Sequence, residues 1–321
     1  MTFCFPDYRA VGPPVKSPCS YLEESGMSIT VRQLHPLFVG EVEGADLSAP
    51  IAAADFAAIQ GAIDQHAVLV FHGTRLSQEA QVEFATRFGP LEAQNGVLTT
   101  GVAARITRQL VDISNLDDKN AVLGQQDRRR MFALGNQLWH TDSSFKRTPA
   151  AYSLLHAHEV TPEGGETQFV DTRAAYDALS PKLKQRIEGL VAEHSIFTSR
   201  AKLGFIDFSD EERRATPPVH RPLVRVHPGS GRKALYLASH ASHIVGWPVP
   251  DGRMLIRELI EHATQPQFVY THRWEIGDLV IWDNRCTMHR GRPYDGEAHR
   301  RDMRRATVQD LDPAMQDLRV A

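Results

Sequence analysis

QFVYTHRWEIGDLVIWDNRCTMHRG, residues 267–291, reads as two short β-strands parted by the turn signal EIGD. The second ends at Trp282, a DN turn follows, and the chain runs on to His289. Segments of the same character recur on both sides: AYSLLHAHEV (151–160), ETQFVDT (166–172), PLVRVHP (222–228), KALYLAS (233–239) and RRATVQD (304–310). Turn signals such as EGG and PGSG punctuate them, and two helical insertions, near 173–188 and 251–263, interrupt them. A mainly β chain with helical insertions is expected, and two such sheets packed together make a jelly roll the obvious architecture.

Nearer the N-terminus, AADFAAIQGAIDQH (53–66) has apolar residues at helical spacing, and AVLVFHG (67–73) reads as a buried strand. SQEAQVEFATRFG (77–89) is a second helix with Ser77 as N-cap and Gly89 as C-cap. The first 26 residues carry four prolines and no period. They read as a flexible extension ahead of one folded domain, 27–321, that opens on the strand-like MSITVRQL. Residues 92–135 are rich in Gly, Asn, Gln, Asp and Arg, with one short strand at LVDIS; so long a connection directly before His140 reads as a lid. Within it the basic run Arg128–Arg130 reads as a solvated loop.

A composition of 42% hydrophobic and 23% charged residues is that of a soluble globular chain. The net charge of −3 gives no global attraction to nucleic acid or to an anionic membrane. No apolar run approaches the roughly 18 residues of a membrane span, and the opening lacks a secretion-signal layout, so a cytoplasmic protein is expected. Cys4, Cys19 and Cys286 are odd in number and far apart, which argues for structural thiols and against a disulfide framework.

Chemistry concentrates in NQLWHTDSSF (136–145). On a short strand, His140 and Asp142 would share one face and present an imidazole nitrogen and a carboxylate oxygen to one ion. His289 is the candidate third donor. Two histidines and a carboxylate leave coordination positions open, as in non-haem Fe(II) oxygenases, but a zinc hydrolase can use the same set. The HExxH zinc-protease pattern is absent, because HEVTP at 158–162 lacks the second histidine. His156 and His158 read as hydrogen-bonded strand residues, whereas His240 and His243 of HASH fit either packing or a substrate pocket.

HRRDMRRAT (299–307) adds a separate requirement. On a strand, Arg301, Met303 and Arg305 share a face, and two guanidiniums facing the core would be costly to bury unpaired. They call for two anionic ligands, with the Thr167 hydroxyl of GGETQF placed to assist one of them.

Taken in order, NQLWHTDSSF, GGETQFVDTRAAYDAL, PLVRVHPGSGRKALYL, DLVIWDNRCTMHRG and RRDMRRAT resemble the taurine dioxygenase family of Fe(II)/2-oxoglutarate-dependent oxygenases. Within it they look most like the 2,4-dichlorophenoxyacetate (aryloxyalkanoate) dioxygenases, from about Ser28 to about Asp310. The resemblance implies a double-stranded β-helix, with Fe(II) held by His140, Asp142 and His289, and with 2-oxoglutarate and O2 as cosubstrates. It implies that Arg301 and Thr167 take the distal carboxylate of 2-oxoglutarate and that Arg305 takes the acid group of a small carboxylate substrate. Asn136 matches a substrate-contacting asparagine, and His240 and His243 match the phenoxyacetate enzymes. In those enzymes a lysine follows FGPLE; here AQNGVLTTG has no basic residue.

The activity so implied is hydroxylation of the carbon next to the carboxylate of an aryloxyalkanoate, releasing a phenol, with lid residues such as Val97 and Leu98 near the ring. Alternatives are the same chemistry on taurine or another alkylsulfonate, a zinc hydrolase on the same triad, and a non-catalytic jelly-roll binding module. No nucleic-acid or membrane partner is expected, and assembly into homo-oligomers is left open.

Overall fold

The computed structural model of the chain describes residues 29–93 and 105–318. The expectations placed on the N-terminal extension, on Cys4 and Cys19, and on Val97 and Leu98 lie outside the described residues.

The expected first helix forms over Ala53–His66. Its Phe56, Ile59 and Ile63 recur every three to four residues and pack on Leu69, Phe71, Leu279 and Ile281. Truncating one of these, Ile59 for example, costs about 2–5 kcal/mol by the usual cavity cost. Ala67, at φ 61°, ends the helix by donating its N–H to Ile63, and the chain turns directly into the strand Val68–Phe71. A second helix, Gln78–Thr86, begins where the Ser77 hydroxyl accepts from the Ala80 N–H. The chain leaves it at Arg87, ahead of Gly89.

Seven strands form the main sheet in the order Thr30–Gln33, Gly40–Glu43, Val68–Phe71, Leu279–Asp283, Ala150–Glu159, Asp302–Gln309 and Val111–Asp112. All neighbours are antiparallel except Gly40–Glu43 with Val68–Phe71. Leu69, Phe71, Leu279 and Ile281 face the helices, whereas Val68, Val70, Val280 and Trp282 face the other way. Both faces are covered, which is why VLVF and LVIW are apolar at every position.

The second face meets a three-stranded sheet of Val269–His272, Thr167–Asp171 and Thr287–Gly291. Phe169 enters the layer between the sheets with Trp282, Leu155 and Met303. Val170 and Met288 point outward to Leu255, Ile256 and Leu259 of the helix Val249–Ala263. By the period of two, His289, next to Met288, points inward. Its ring lies 4.6 Å from that of Trp282.

Several local expectations need correction. Residues 128–130 form a helix, Arg128–Ala133, rather than a solvated loop. The Asp127 carboxylate caps it, and the three arginines pair with Glu212, Asp127 and Glu297. The insertion near 173–188 is two helices, Thr172–Asp177 and Pro181–Ile187, divided where the Ser180 hydroxyl caps the second over Pro181. A further sheet of Ala241–Ile244, Val191–His194 and Val219–Pro222, and the helices Ile196–Ala201 and Asp210–Ala215, were not foreseen. Among the described residues no helix is long and apolar enough to cross a membrane.

Candidate metal centre

His140 and Asp142 do not lie on a regular strand. His140 makes a single two-way bridge to His289, with N···O distances of 3.0 and 2.8 Å, and Asp142 begins a turn in which Ser143 has φ 52°. The turn is held from both sides. Thr141 Oγ1 lies 2.9 Å from the carbonyl oxygens of both Leu237 and Thr287, and the Asp142 N–H donates to Asn284 Oδ1 at 3.1 Å.

The backbone bridge places the two imidazole centroids 4.2 Å apart. His140 Nδ1–H donates to the Leu138 carbonyl at 2.7 Å, which fixes the tautomer and leaves Nε2 a free lone pair. That Nε2 lies 3.8 Å from Asp142 Oδ1, and His289 Nε2 lies 3.6 Å from Asp142 Oδ2. These separations are too long for hydrogen bonds and suit three donors around one ion. All three side chains are buried, and their ligand atoms lie within 4.8 Å of one another.

Ser153 Oγ donates to Asp142 Oδ2 at 2.7 Å and accepts from Asn284 Nδ2 at 2.9 Å; Asn284 Oδ1 in turn accepts from Trp282 Nε1. Sequence reading missed both supports. Their signals are a lone hydroxyl inside the buried run AYSLLH and the amide of the DN turn.

Burial, and then the charge of its neighbour His140, push the His289 imidazolium well below its ordinary pKa; burial also lowers that of His140 against the pull of Asp142. Burial alone would raise the Asp142 carboxyl, but Arg305, His289 and His140 together hold it well below the usual carboxylate range. The site is therefore two neutral imidazoles and one carboxylate, all deprotonated, the state in which a divalent cation is bound. The donor set fits a metal ion.

Arg305 donates to Asp142 Oδ1, so one of the two expected anions is already in the protein, while its buried Nε has no partner. Arg301 lies one residue before the strand Asp302–Gln309, whose register slips between Asp302 and Met303. It is buried, and its hydrogen-bond acceptors are the backbone carbonyls of Ile113 and Gly165, both at 3.4 Å. Thr167 is buried at the start of the central strand of the smaller sheet, and its Oγ1 accepts from Trp274 Nε1 at 2.9 Å. Gly165, beside Arg301, has φ +72°, and a Cβ there would come within 2.9 Å of Thr161 Oγ1, so glycine suits the position.

His240 is buried with its ring 6.0 Å from that of His140 and 4.7 Å from that of Phe145. His243 is not brought to the triad; its partners are Ser242 at 2.8 Å and Glu193 at 3.8 Å. Asn136 lies in the 3-10 turn Leu134–Gln137, two residues before the carbonyl that orients His140. His156 and His158 bond to each other at 3.0 Å, as expected of structural histidines. Cys286 is buried, and burial pushes its thiol well above the ordinary range, so it is no nucleophile.

A second group, His227, Asp283 and Cys286, also has its ligand atoms within 4.8 Å. Asp283 is already taken by His227 at 2.8 Å and by Arg285, so this group is a closed ion-pair network.

Residues 30–307 match the model of the taurine catabolism dioxygenase TauD, TfdA family. The chain is 49% identical over 284 residues to an alpha-ketoglutarate-dependent 2,4-dichlorophenoxyacetate dioxygenase of Cupriavidus pinatubonensis, covering 88% of this chain and 99% of that one. It is 37% identical over 245 residues to an (S)-phenoxypropionate/alpha-ketoglutarate-dioxygenase of Sphingobium herbicidovorans, covering 74% and 80%. Among solved structures, AAD-2 in complex with Mn(II) and N-oxalylglycine superposes with a TM-score of 0.87 at 49% identity, covering 90% of this chain and all of that one.

Proposed function

From the premise that this chain belongs to the TauD, TfdA dioxygenase family, we propose that it hydroxylates the carbon next to the carboxylate of an aryloxyalkanoate such as 2,4-dichlorophenoxyacetate. Its reaction class is that of the Fe(II)- and 2-oxoglutarate-dependent dioxygenases. In this reading the two facing sheets are a double-stranded β-helix, residues 27–321 are one catalytic domain, and His140, Asp142 and His289 hold the iron. The observation that carries it is the convergence of those three deprotonated donors beside an arginine, Arg301, that has no carboxylate partner among the described residues.

Ferrous iron bound there, with 2-oxoglutarate, supplies the oxidation of a substrate C–H bond by dioxygen, coupled to conversion of the cosubstrate to succinate and carbon dioxide. The chain supplies position and field. Arg301 offers its buried charge to the distal carboxylate of 2-oxoglutarate. Thr167 can donate its own proton to the same group, because its oxygen already accepts from Trp274. Arg305 orients Asp142 and turns its remaining donors to the substrate acid. Hydroxylation beside that acid would turn an aryl ether into a hemiacetal, which collapses to the phenol and an oxo acid.

The test is an anaerobic titration with Fe(II) and 2-oxoglutarate, followed by succinate formation on phenoxyacetate, phenoxypropionate and taurine. Aryloxy acids that drive succinate formation well above the substrate-free rate support the reading. Taurine alone doing so would move the substrate to the alkylsulfonates, and turnover without oxygen and 2-oxoglutarate would turn it to hydrolysis.

A further inference from the structure

Five arginines are buried among the described residues: Arg173, Arg200, Arg221, Arg225 and Arg301. Arg173 pairs with Asp171, and Arg225 with Asp310 and Asp312. Arg221 donates to the backbone carbonyls of Ser144, Met315, Lys146 and Arg147. Arg301 is assigned to the cosubstrate above. Arg200 remains.

Arg200 is 4% exposed, on the helix Ile196–Ala201. Its one hydrogen bond among the described residues goes to the hydroxyl of its neighbour Ser199, at 3.0 Å, and its buried Nε has no partner. The face of the guanidinium lies 4.1 Å from the centre of the Phe132 ring. Its edge occupies the space a side chain at Gly135 would fill, since a Cβ there would come within 2.1 Å of Nη1. An aromatic plate and a missing side chain thus seat a charge that no acidic group among the described residues meets. Burying an unmatched guanidinium is costly, so such a seat implies an anion that arrives from outside.

The position points to which anion. Ser199 Oγ also bonds His240 Nδ1 at 3.0 Å, and the His240 ring edges onto that of His140. Ser199 thus links Arg200 to His240, whose ring meets that of His140. Arg305 is partly neutralised by Asp142, and the stretch 94–104 contributes no basic residue.

Resting on the substrate class proposed above, we propose that Arg200 is a substrate-binding residue whose guanidinium receives the acid group of the substrate on the His140–His240 side, as a second cationic contact beside Arg305. It fills the role of the base missing after FGPLE. A carboxylate there meets a planar, desolvated donor fork already seated on Phe132 and Gly135.

The test compares wild type with Arg200→Met, Arg200→Lys and Gly135→Ala as anaerobic Fe(II)/2-oxoglutarate complexes. Calorimetry reads the binding of 2,4-dichlorophenoxyacetate and of its uncharged primary amide. Arg200→Met should weaken the acid at least tenfold and leave the amide and 2-oxoglutarate within about twofold. Arg200→Lys should recover part of the loss. Arg200→Met should also melt no lower than wild type, because it removes an unmatched buried charge while keeping the contact with Phe132; a structural arginine would lower the melting temperature. Gly135→Ala keeps the arginine but displaces its guanidinium, so it should weaken the acid selectively and carries the test if Arg200→Met does not fold. Acid affinity within twofold of wild type, or equal losses for acid and amide, would overturn the proposal. A wild type that binds taurine but no aryloxy acid removes the substrate class, and Arg200 is then judged by the same variants with the sulfonate against an uncharged sulfonamide.

Discussion

Arg305 donates to the same Asp142 carboxylate that faces both imidazoles, so one acid group is shared between the candidate metal site and the arginine beside it. Removing Arg305 therefore acts twice. Arg305→Ala should raise the KM for the aryloxy acid by about 30- to 5000-fold, in line with the roughly 2–5 kcal/mol lost when a buried charge-assisted pair is truncated. It should raise the KM for 2-oxoglutarate far less. Arg301→Ala should do the reverse, and steady-state kinetics with each ligand varied in turn separates the two. Equal effects of both variants on both ligands would show the roles misassigned.

His140→Ala, Asp142→Ala and His289→Ala should each abolish iron-dependent succinate formation, as should chelation of the wild type. The supporting residues should give a graded loss. Ser153→Ala removes the donor to Asp142 Oδ2 and the acceptor for Asn284. It should weaken Fe(II) or Mn(II) binding by about 10- to 100-fold, the usual effect of losing a group that orients a metal ligand. Metal titration of a variant with an unchanged circular dichroism spectrum measures it; full affinity would remove Ser153 from the support.

Metal uptake should release few protons near neutrality. Both imidazoles already titrate below the ordinary histidine value and Asp142 far below the ordinary carboxylate value, so protons compete only at lower pH. Affinity should stay flat from about pH 8 down to about 6.5, the ordinary histidine pKa. Calorimetry in two buffers of different ionisation enthalpy counts the protons directly. A release near one per ion at pH 7 would contradict the neutral-imidazole site.

Acid should destabilise the fold through His194, which burial and then Arg221 and Lys202 hold down to about 3. In the unfolded chain its pKa is the ordinary value of about 6.5, so between these limits the unfolded state binds more protons and stability falls as pH falls. The slope from this residue reaches about 1.4 kcal/mol per pH unit. Denaturant unfolding at pH 7, 6 and 5 should show the decline, and His194→Phe, which keeps a ring against Tyr236, should flatten it. An unchanged slope would mean that other groups carry the acid response.

Much of this was legible in the sequence because it follows from local patterns. The strands Val68–Phe71 and Leu279–Asp283 announced themselves as unbroken apolar runs, and the helix Ala53–His66 by its spacing. His140, Asp142 and His289, the three donors proposed for the metal, converge even though the short strand expected for His140 and Asp142 is a bridge and a turn. The period of two gave the right face for the wrong local structure. What escaped was long-range. Residues 128–130 became a helix because Glu212 and Glu297, remote in sequence, neutralise two of its arginines. Arg200 in TSRAKLG carries no local mark; only the fold shows that no carboxylate among the described residues reaches it. His243, paired in the motif with His240, parts from it at a slip in strand register between Ala241 and His243.

The reciprocal amide bridge between His140 and His289 joins two of the donors through main chain alone. Their spacing does not depend on an ion being present. The empty protein should therefore keep its shape and accept reloading after chelation. Raw affinity of two imidazoles and a carboxylate does not single out iron among divalent ions, so the choice falls to the geometry of the cradle and to cellular supply.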